Sequence, residues 1–198
     1  MVFARSVVKA AFAPNDDFVV TCGKDNLVIM WNLTLKGTKD RVYRGHNEPV
    51  LNVSVCSDGS RIASCDGAGV VIVWDPKVDN PIHIFSEHTD VVYSCVFGRE
   101  CKDGKGRLIT CGHDKRIMVW DIYQGTIIGE VPSCHGSWIV AAAMDSTNLQ
   151  LATVSMDTRT SLVLWQSLPP VPKNWEWLDR WLRKWAKVKR NPLILFTG

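Results

Sequence analysis

Thr110-Cys111-Gly112-His113-Asp114-Lys115-Arg116-Ile117-Met118-Val119-Trp120-Asp121 sets a hydroxyl, then an acid four positions later, then an apolar run closed by Trp-Asp. Four apolar runs of this shape end in tryptophan: Val28-Ile29-Met30-Trp31, Val71-Ile72-Val73-Trp74, Ile117-Met118-Val119-Trp120 and Leu162-Val163-Leu164-Trp165. Their tryptophans stand 43, 46 and 45 residues apart. A fixed period in this range is the mark of a repeat architecture. Thr21, Ser64 and Thr110 each lie ten positions before the tryptophan, and Thr153 lies twelve before Trp165, as a two-residue turn insertion would give. Asp25, Asp114 and Asp157 stand four positions after the hydroxyl, where the second unit has Ala68. Upstream come Gly45-His46, Glu87-His88 and Cys134-His135, each with an apolar residue four positions after the His: Val50, Val92 and Ile139.

Each unit reads as four short strands separated by turn residues. In the second unit these are Val50–Val55, Arg61–Ser64, Val70–Trp74 and Ile82–Phe85, punctuated by Ser57-Asp58-Gly59, Asp66-Gly67-Ala68-Gly69 and Asp75-Pro76. The third strand is nearly all apolar, so both of its faces need cover. One sheet cannot cover itself, but sheets stacked side by side can.

The pattern resembles the WD40 repeat family over residues 7 to 166. The Trp-Asp ending is intact at Trp74-Asp75 and Trp120-Asp121 and degraded at Trp31-Asn32 and Trp165-Gln166. The resemblance implies an all-β chain of WD40-type β-propeller blades, at about 1–44, 45–86, 87–133 and 134–167. It also implies that His, hydroxyl, Asp and Trp form a buried hydrogen-bonded chain in each blade. The third unit then supplies His88, Thr110, Asp114 and Trp120, and the fourth His135, Thr153, Asp157 and Trp165. The first supplies Thr21, Asp25 and Trp31, with Phe3 at the place of the His. The second supplies His46, Ser64 and Trp74, and Ala68 is expected to break its chain. On that reading blade 2 is pinned less well than blade 3, and Ala68→Asp raises its melting temperature. Propellers of this family most often have seven blades, which at this spacing needs about 310 residues. Four repeats are incomplete beside such a ring. The chain is therefore expected to be part of a longer propeller, to pair with a second chain or a second copy of itself, or to be completed by another partner.

A His, a hydroxyl and an acid together also suggest a hydrolytic triad. The set recurs once per repeat, however, whereas a catalytic set occurs once. No Gly-x-Ser-x-Gly elbow or phosphate-binding glycine loop is present, and no Cys-x-x-Cys pair accompanies Cys111-Gly112-His113 or Cys134-His135. Neither catalysis, nor a cofactor, nor a metal is expected. Asp103-Gly104-Lys105-Gly106 reads as a lengthened surface hairpin. The family's cullin-ligase receptors often carry Arg two residues after Trp-Asp. Lys77 and Tyr123 stand there instead, so that role has no support.

After Trp165 the composition changes. Residues 168–173 form a proline-rich linker. Residues 174–190 read as an amphipathic helix, capped by Asn174 and ended by Asn191-Pro192, with 191–198 as a terminal segment. Leu178, Trp181, Leu182 and Trp185 follow the i, i+3, i+4, i+7 rule. With Trp177 they are candidate partner-binding residues. Docking on the blades, a partner groove, an anionic membrane surface and a nucleic acid all remain open as its target.

The 198 residues carry nine tryptophans, a net charge of +3, 46% hydrophobic and 22% charged residues. This is a globular composition, not a disordered or low-complexity one. Residues 174 to 190 hold six basic and two acidic side chains, net +4, which leaves the remainder at −1. The blades are nearly neutral and the basic character belongs to the tail. With no secretory signal and no long apolar span, an intracellular, cytoplasmic or nuclear protein is expected. The seven cysteines show no disulfide framework and read as buried thiols. The expected role is a non-enzymatic scaffold binding other proteins; the alternative is a membrane-surface or nucleic-acid adaptor acting through the tail.

Overall fold

Every apolar run that ends in tryptophan is a strand; the first three have a neighbour on each side, and among the described residues the fourth pairs on one side. The computed structural model describes residues 6–35, 37–98, 106–131, 135–145, 150–157 and 162–166, and all elements among them are β-strands. The first sheet is β1 (Val7–Phe12), β2 (Phe18–Gly23), β3 (Val28–Asn32) and β4 (Thr38–Tyr43), antiparallel and in that order. The second is β5 (Val50–Val55), β6 (Ile62–Asp66), β7 (Val71–Trp74) and β8 (Pro81–Phe85). The third is β9 (Val92–Phe97), β10 (Arg107–Gly112), β11 (Ile117–Asp121) and β12 (Thr126–Val131). β13 (Ile139–Met144), β14 (Gln150–Ser155) and β15 (Leu162–Gln166) make the fourth. The linker at 168–173, the helix expected over 174–190, the segment 191–198, Phe3, Cys101, Cys134 and most of the 103–106 hairpin lie outside the described residues.

The backbone repeats as the sequence does. Register shifts fall at one place in each first strand pair: Val7/Lys9, Val50/Asn52, Cys111/Gly112 and Ile139/Ala141. A second set falls where the third strand meets the fourth, at Met30/Trp31, Val73/Trp74 and Val119/Trp120. Such bulges sharpen the right-handed twist of a small sheet. The second strand of blade 2 runs two residues past the expected Ser64, to Asp66.

Three apolar cores lie between successive sheets, and all three are built alike. One sheet contributes Val20, Cys22, Val28 and Met30 against Ile62, Ile72 and Trp74 of the next. Ala63, Cys65, Val71 and Val73 then meet Leu108, Met118 and Trp120. Ile109, Cys111, Ile117 and Val119 meet Ile139, Leu151 and Val163. Alternation along each strand sends one set of residues forward and the other back. The first two interfaces therefore join a cysteine-bearing face to a tryptophan-bearing face, and the third sets the Cys111 face against Ile139, Leu151 and Val163 in the same direction. Val71, Ile72, Val73 and Trp74 are each 0% exposed, so the third strand of blade 2 has no solvent side.

Candidate interaction surface

The polar residues of the repeat meet within each blade. In blade 3, His88 Nδ1 lies 2.7 Å from Asp114 Oδ2, His88 Nε2 lies 2.7 Å from Thr110 Oγ1, and Trp120 Nε1 donates to Thr110 Oγ1 at 2.8 Å. The carboxylate only accepts, so Nδ1 carries the proton and Nε2 accepts from the threonine hydroxyl. The chain runs Trp N–H to Thr O, Thr O–H to His, His N–H to Asp. Burial works to raise the Asp114 pKa, but the hydrogen bond from His88 and the N–H groups of Arg116 and Thr89 outweigh it and hold the carboxyl below its ordinary value.

Blade 2 corrects the sequence reading. Its chain is not broken at Ala68, because the acid comes from Asp66 instead. Asp66 Oδ2 lies 2.7 Å from His46 Nδ1, His46 Nε2 lies 2.7 Å from Ser64 Oγ, and Trp74 Nε1 donates to Ser64 Oγ at 2.8 Å. Asp66 Oδ1 accepts from the N–H groups of Ala68 and Val70, both at 2.9 Å. The carboxylate thus arises two residues after the hydroxyl rather than four. In blade 3 the equivalent position is Gly112, where an added Cβ would lie 2.1 Å from Val91 O, so no side chain fits there.

In blade 1, Trp31 Nε1 donates to Thr21 Oγ1 at 2.8 Å, and Asp25 Oδ1 accepts from Leu27 N–H at 3.3 Å. In blade 4, His135 Nε2 lies 2.8 Å from Thr153 Oγ1, and Asp157 Oδ2 accepts from Gly136 N–H at 2.9 Å. The Trp165 side chain lies outside the described part, as do Trp177, Leu178, Trp181, Leu182 and Trp185. Ser64, Thr110 and Thr153 are each 0% exposed. A hydroxyl sealed in this way presents no nucleophile to a substrate.

One turn residue per blade reaches the next. Asn26 and Lys115, each at φ 64°, donate from their side chains to Asn47 O at 2.8 Å and to Gly136 O at 2.9 Å. Gly69 holds the same place in blade 2 at φ 87°, where a Cβ would lie 2.9 Å from His88 O. Only glycine meets both demands there.

The blade 3–blade 4 junction carries a surface cluster at this same end. The His113 ring lies 4.3 Å from that of Trp138, centroid to centroid, and 6.4 Å from that of Tyr93. His113 Nδ1 lies 2.6 Å from Asp90 Oδ2. The Val91 N–H, and then His113, hold the Asp90 carboxyl below its ordinary value. Met156 N–H donates to Trp138 O at 3.0 Å, which ties the two backbones together next to the cluster. Trp138 is 42% and Met156 64% exposed, although both are large and apolar. From the sequence, Trp138 is only the residue before a strand. The signal that could have found it is its place between His135 and Ile139, where blades 2 and 3 carry Pro49 and Val91.

The family model described as WD domain, G-beta repeat matches residues 4–32, 37–75 and 79–121, more than half of the chain. The chain belongs to the WD40 repeat family. It is 25% identical over 164 residues to Cell division cycle 20.1, cofactor of APC complex, of Arabidopsis thaliana, covering 79% of this chain and 35% of that protein. It is 26% identical over 165 residues to the guanine nucleotide-binding protein subunit beta of Zea mays, covering 78% and 42%. Nuclear distribution protein nudF of Aspergillus niger is 26% identical over 172 residues, covering 80% and 38%. This WD40 chain thus spans about two-fifths or less of the length of these relatives. Among the described residues no helix is long and apolar enough to cross a membrane, and no group of three or more His, Cys, Asp or Glu is placed to hold a metal ion.

Proposed function

We propose that this chain is a non-enzymatic scaffold for protein–protein assembly, and that a partner protein seats on the cluster of Trp138, Met156, His113 and Tyr93. The observation that carries the reading is a large indole left 42% exposed at the junction of blades 3 and 4. It is also fixed in orientation by His113, which Asp90 holds in turn. A pre-oriented aromatic loses little rotamer freedom on binding, which is why Trp, Tyr and Met dominate interface centres. The relatives' own descriptions, a cofactor of a complex and a subunit, name members of assemblies. The hydroxyls of Ser64, Thr110 and Thr153 are sealed inside the blades, which favours a structural over a hydrolytic use.

The test is affinity capture with wild type and Trp138→Ala, read by quantitative mass spectrometry. A central tryptophan is worth about 2 kcal/mol or more, on the order of thirtyfold in affinity. Partners enriched by wild type should therefore fall away from the variant while its circular dichroism stays unchanged. Equal capture by both proteins overturns this use of the cluster.

A further inference from the structure

Blade 4 leaves one face uncovered that the other blades bury. In blades 1 to 3 the cross-strand pairs Cys22/Val28 and Val20/Met30, Cys65/Val71 and Ala63/Val73, and Cys111/Ile117 and Ile109/Val119 lie under the following blade. The equivalent pairs in blade 4 are Val154/Leu162 and Ala152/Leu164. Ala141 and Ala143 of β13 extend the same face, opposite Val154 and Ala152. These six central positions are all apolar, and the Gln150–Gln166 pair closes one end. Val154 is 38% and Leu164 37% exposed, against 0–5% for the counterparts in the other blades. A sheet face meant for water alternates to polar residues, and this one does not.

We propose that residues 174–185 of this chain fold back as a helix and cover that face, with Leu178, Trp181, Leu182 and Trp185 against Ala143, Val154, Leu162 and Leu164. Three features select this occupant. The tail starts on the right blade, since β15 ends at Gln166. The linker that follows spans about 20 Å at roughly 3.1 Å per residue. That reaches any part of a three-stranded sheet about 10 Å wide, but falls short of blade 1, about 30 Å away through three sheet spacings. Second, the shapes agree. The stripe is about 12 Å long and its indoles are large, while the face is a shallow bed of three alanines bordered by branched side chains. Third, charge agrees: Arg180, Arg183, Lys184 and Lys187 lie largely off the stripe and stay in water over a neutral face. A second copy would have to bring the tryptophan-bearing face of its blade 1. There Ile29 and Trp31 are already buried, at 5% and 6% exposed.

Limited trypsin digestion of the full chain tests this, because the basic residues of the stripe segment are its cleavage sites. Three proteins are compared: wild type, Leu164→Lys in the face, and Trp181→Ala/Trp185→Ala in the tail. Each variant should speed cleavage after Arg180 and Arg183 at least tenfold, and combining them should add little. The tail variant leaves the blades untouched, so its result stands whether or not Leu164→Lys folds. Equal cleavage in wild type and the tail variant overturns the proposal. Light scattering that finds a wild-type dimer, made monomeric by Leu164→Lys, assigns the face to a second copy and also overturns it. Protection seen only with phosphatidylserine vesicles assigns the tail to a membrane and overturns it too.

Discussion

Asp66→Ala separates the structural account of blade 2 from the sequence account. Asp66 accepts three hydrogen bonds, from His46 Nδ1 at 2.7 Å and from the N–H groups of Ala68 and Val70 at 2.9 Å. The side chains of Asp66 and His46 are each 1% exposed. The two backbone donors sit in a surface turn, where water can replace the carboxylate at little cost. The imidazole N–H has no such substitute, because it is sealed beneath the turn with Trp74 beside it. Stranding a buried donor whose partner was charged costs about 3 kcal/mol. With an m-value of roughly 2 kcal/mol/M, the urea midpoint should fall by about 1.5 M. The assay is equilibrium unfolding followed by tryptophan fluorescence. Ala68→Asp by itself should change stability by no more than about 0.5 kcal/mol or lower it, because its carboxylate would approach one already in place. In Asp66→Ala/Ala68→Asp the acid stands at the offset used in blade 3, and part of the loss should return. A loss under about 1 kcal/mol for Asp66→Ala, together with a gain from Ala68→Asp alone, would refute the reasoning.

Two further outcomes follow from the same interior. The Asp114 carboxyl sits below its ordinary value. Its contribution is therefore complete above the unfolded value of about 3.9 and is lost as the pH falls through the lower folded value. Urea midpoints should drop steeply below about pH 4 in wild type and less steeply in Asp114→Asn, and parallel curves would count against this. Burial pushes the Cys22 thiol up to about 12, and Cys111 is raised further. Cys22, Cys56, Cys65, Cys95 and Cys111 are buried thiols. At pH 8 iodoacetamide should leave all five unlabelled until urea unfolds the chain. Peptide mass mapping that finds native Cys22 or Cys111 alkylated at the rate of a free thiol would contradict the packing.

Blades, strands and their order were legible because tryptophan, hydroxyl and apolar run recur in register, and each follows from strand periodicity. Asp66 was not. Fixed offsets select Ala68 as the place for an acid, but the requirement is a carboxylate oxygen at His46 Nδ1. A residue at the end of a second strand extended to Asp66 can meet it from two positions earlier. The cluster around Trp138 was also out of reach. His113 and Asp90 belong to blade 3 and Trp138 to blade 4, so their meeting depends on how two sheets stack. The uncovered face of blade 4 was half legible. Leu162 and Leu164 alternate with Val163 in the sequence, but which set points outward is decided by the neighbour that Ile139, Leu151 and Val163 pack against.

The one-way joining of cysteine-bearing to tryptophan-bearing faces gives the stack a polarity, with a tooth at one end and a socket at the other. A blade's resistance to opening then depends on how many of its faces are engaged. Blades 2 and 3 are clamped on both sides and should exchange their amide protons last, near the global unfolding limit. Blade 4 is clamped by blade 3 on one side, so fraying starts there whenever its other face is uncovered. Any molecule that settles on its free face acts as an end-stop, and its effect on stability will be felt most at β14 and β15 and fade toward the middle of the stack.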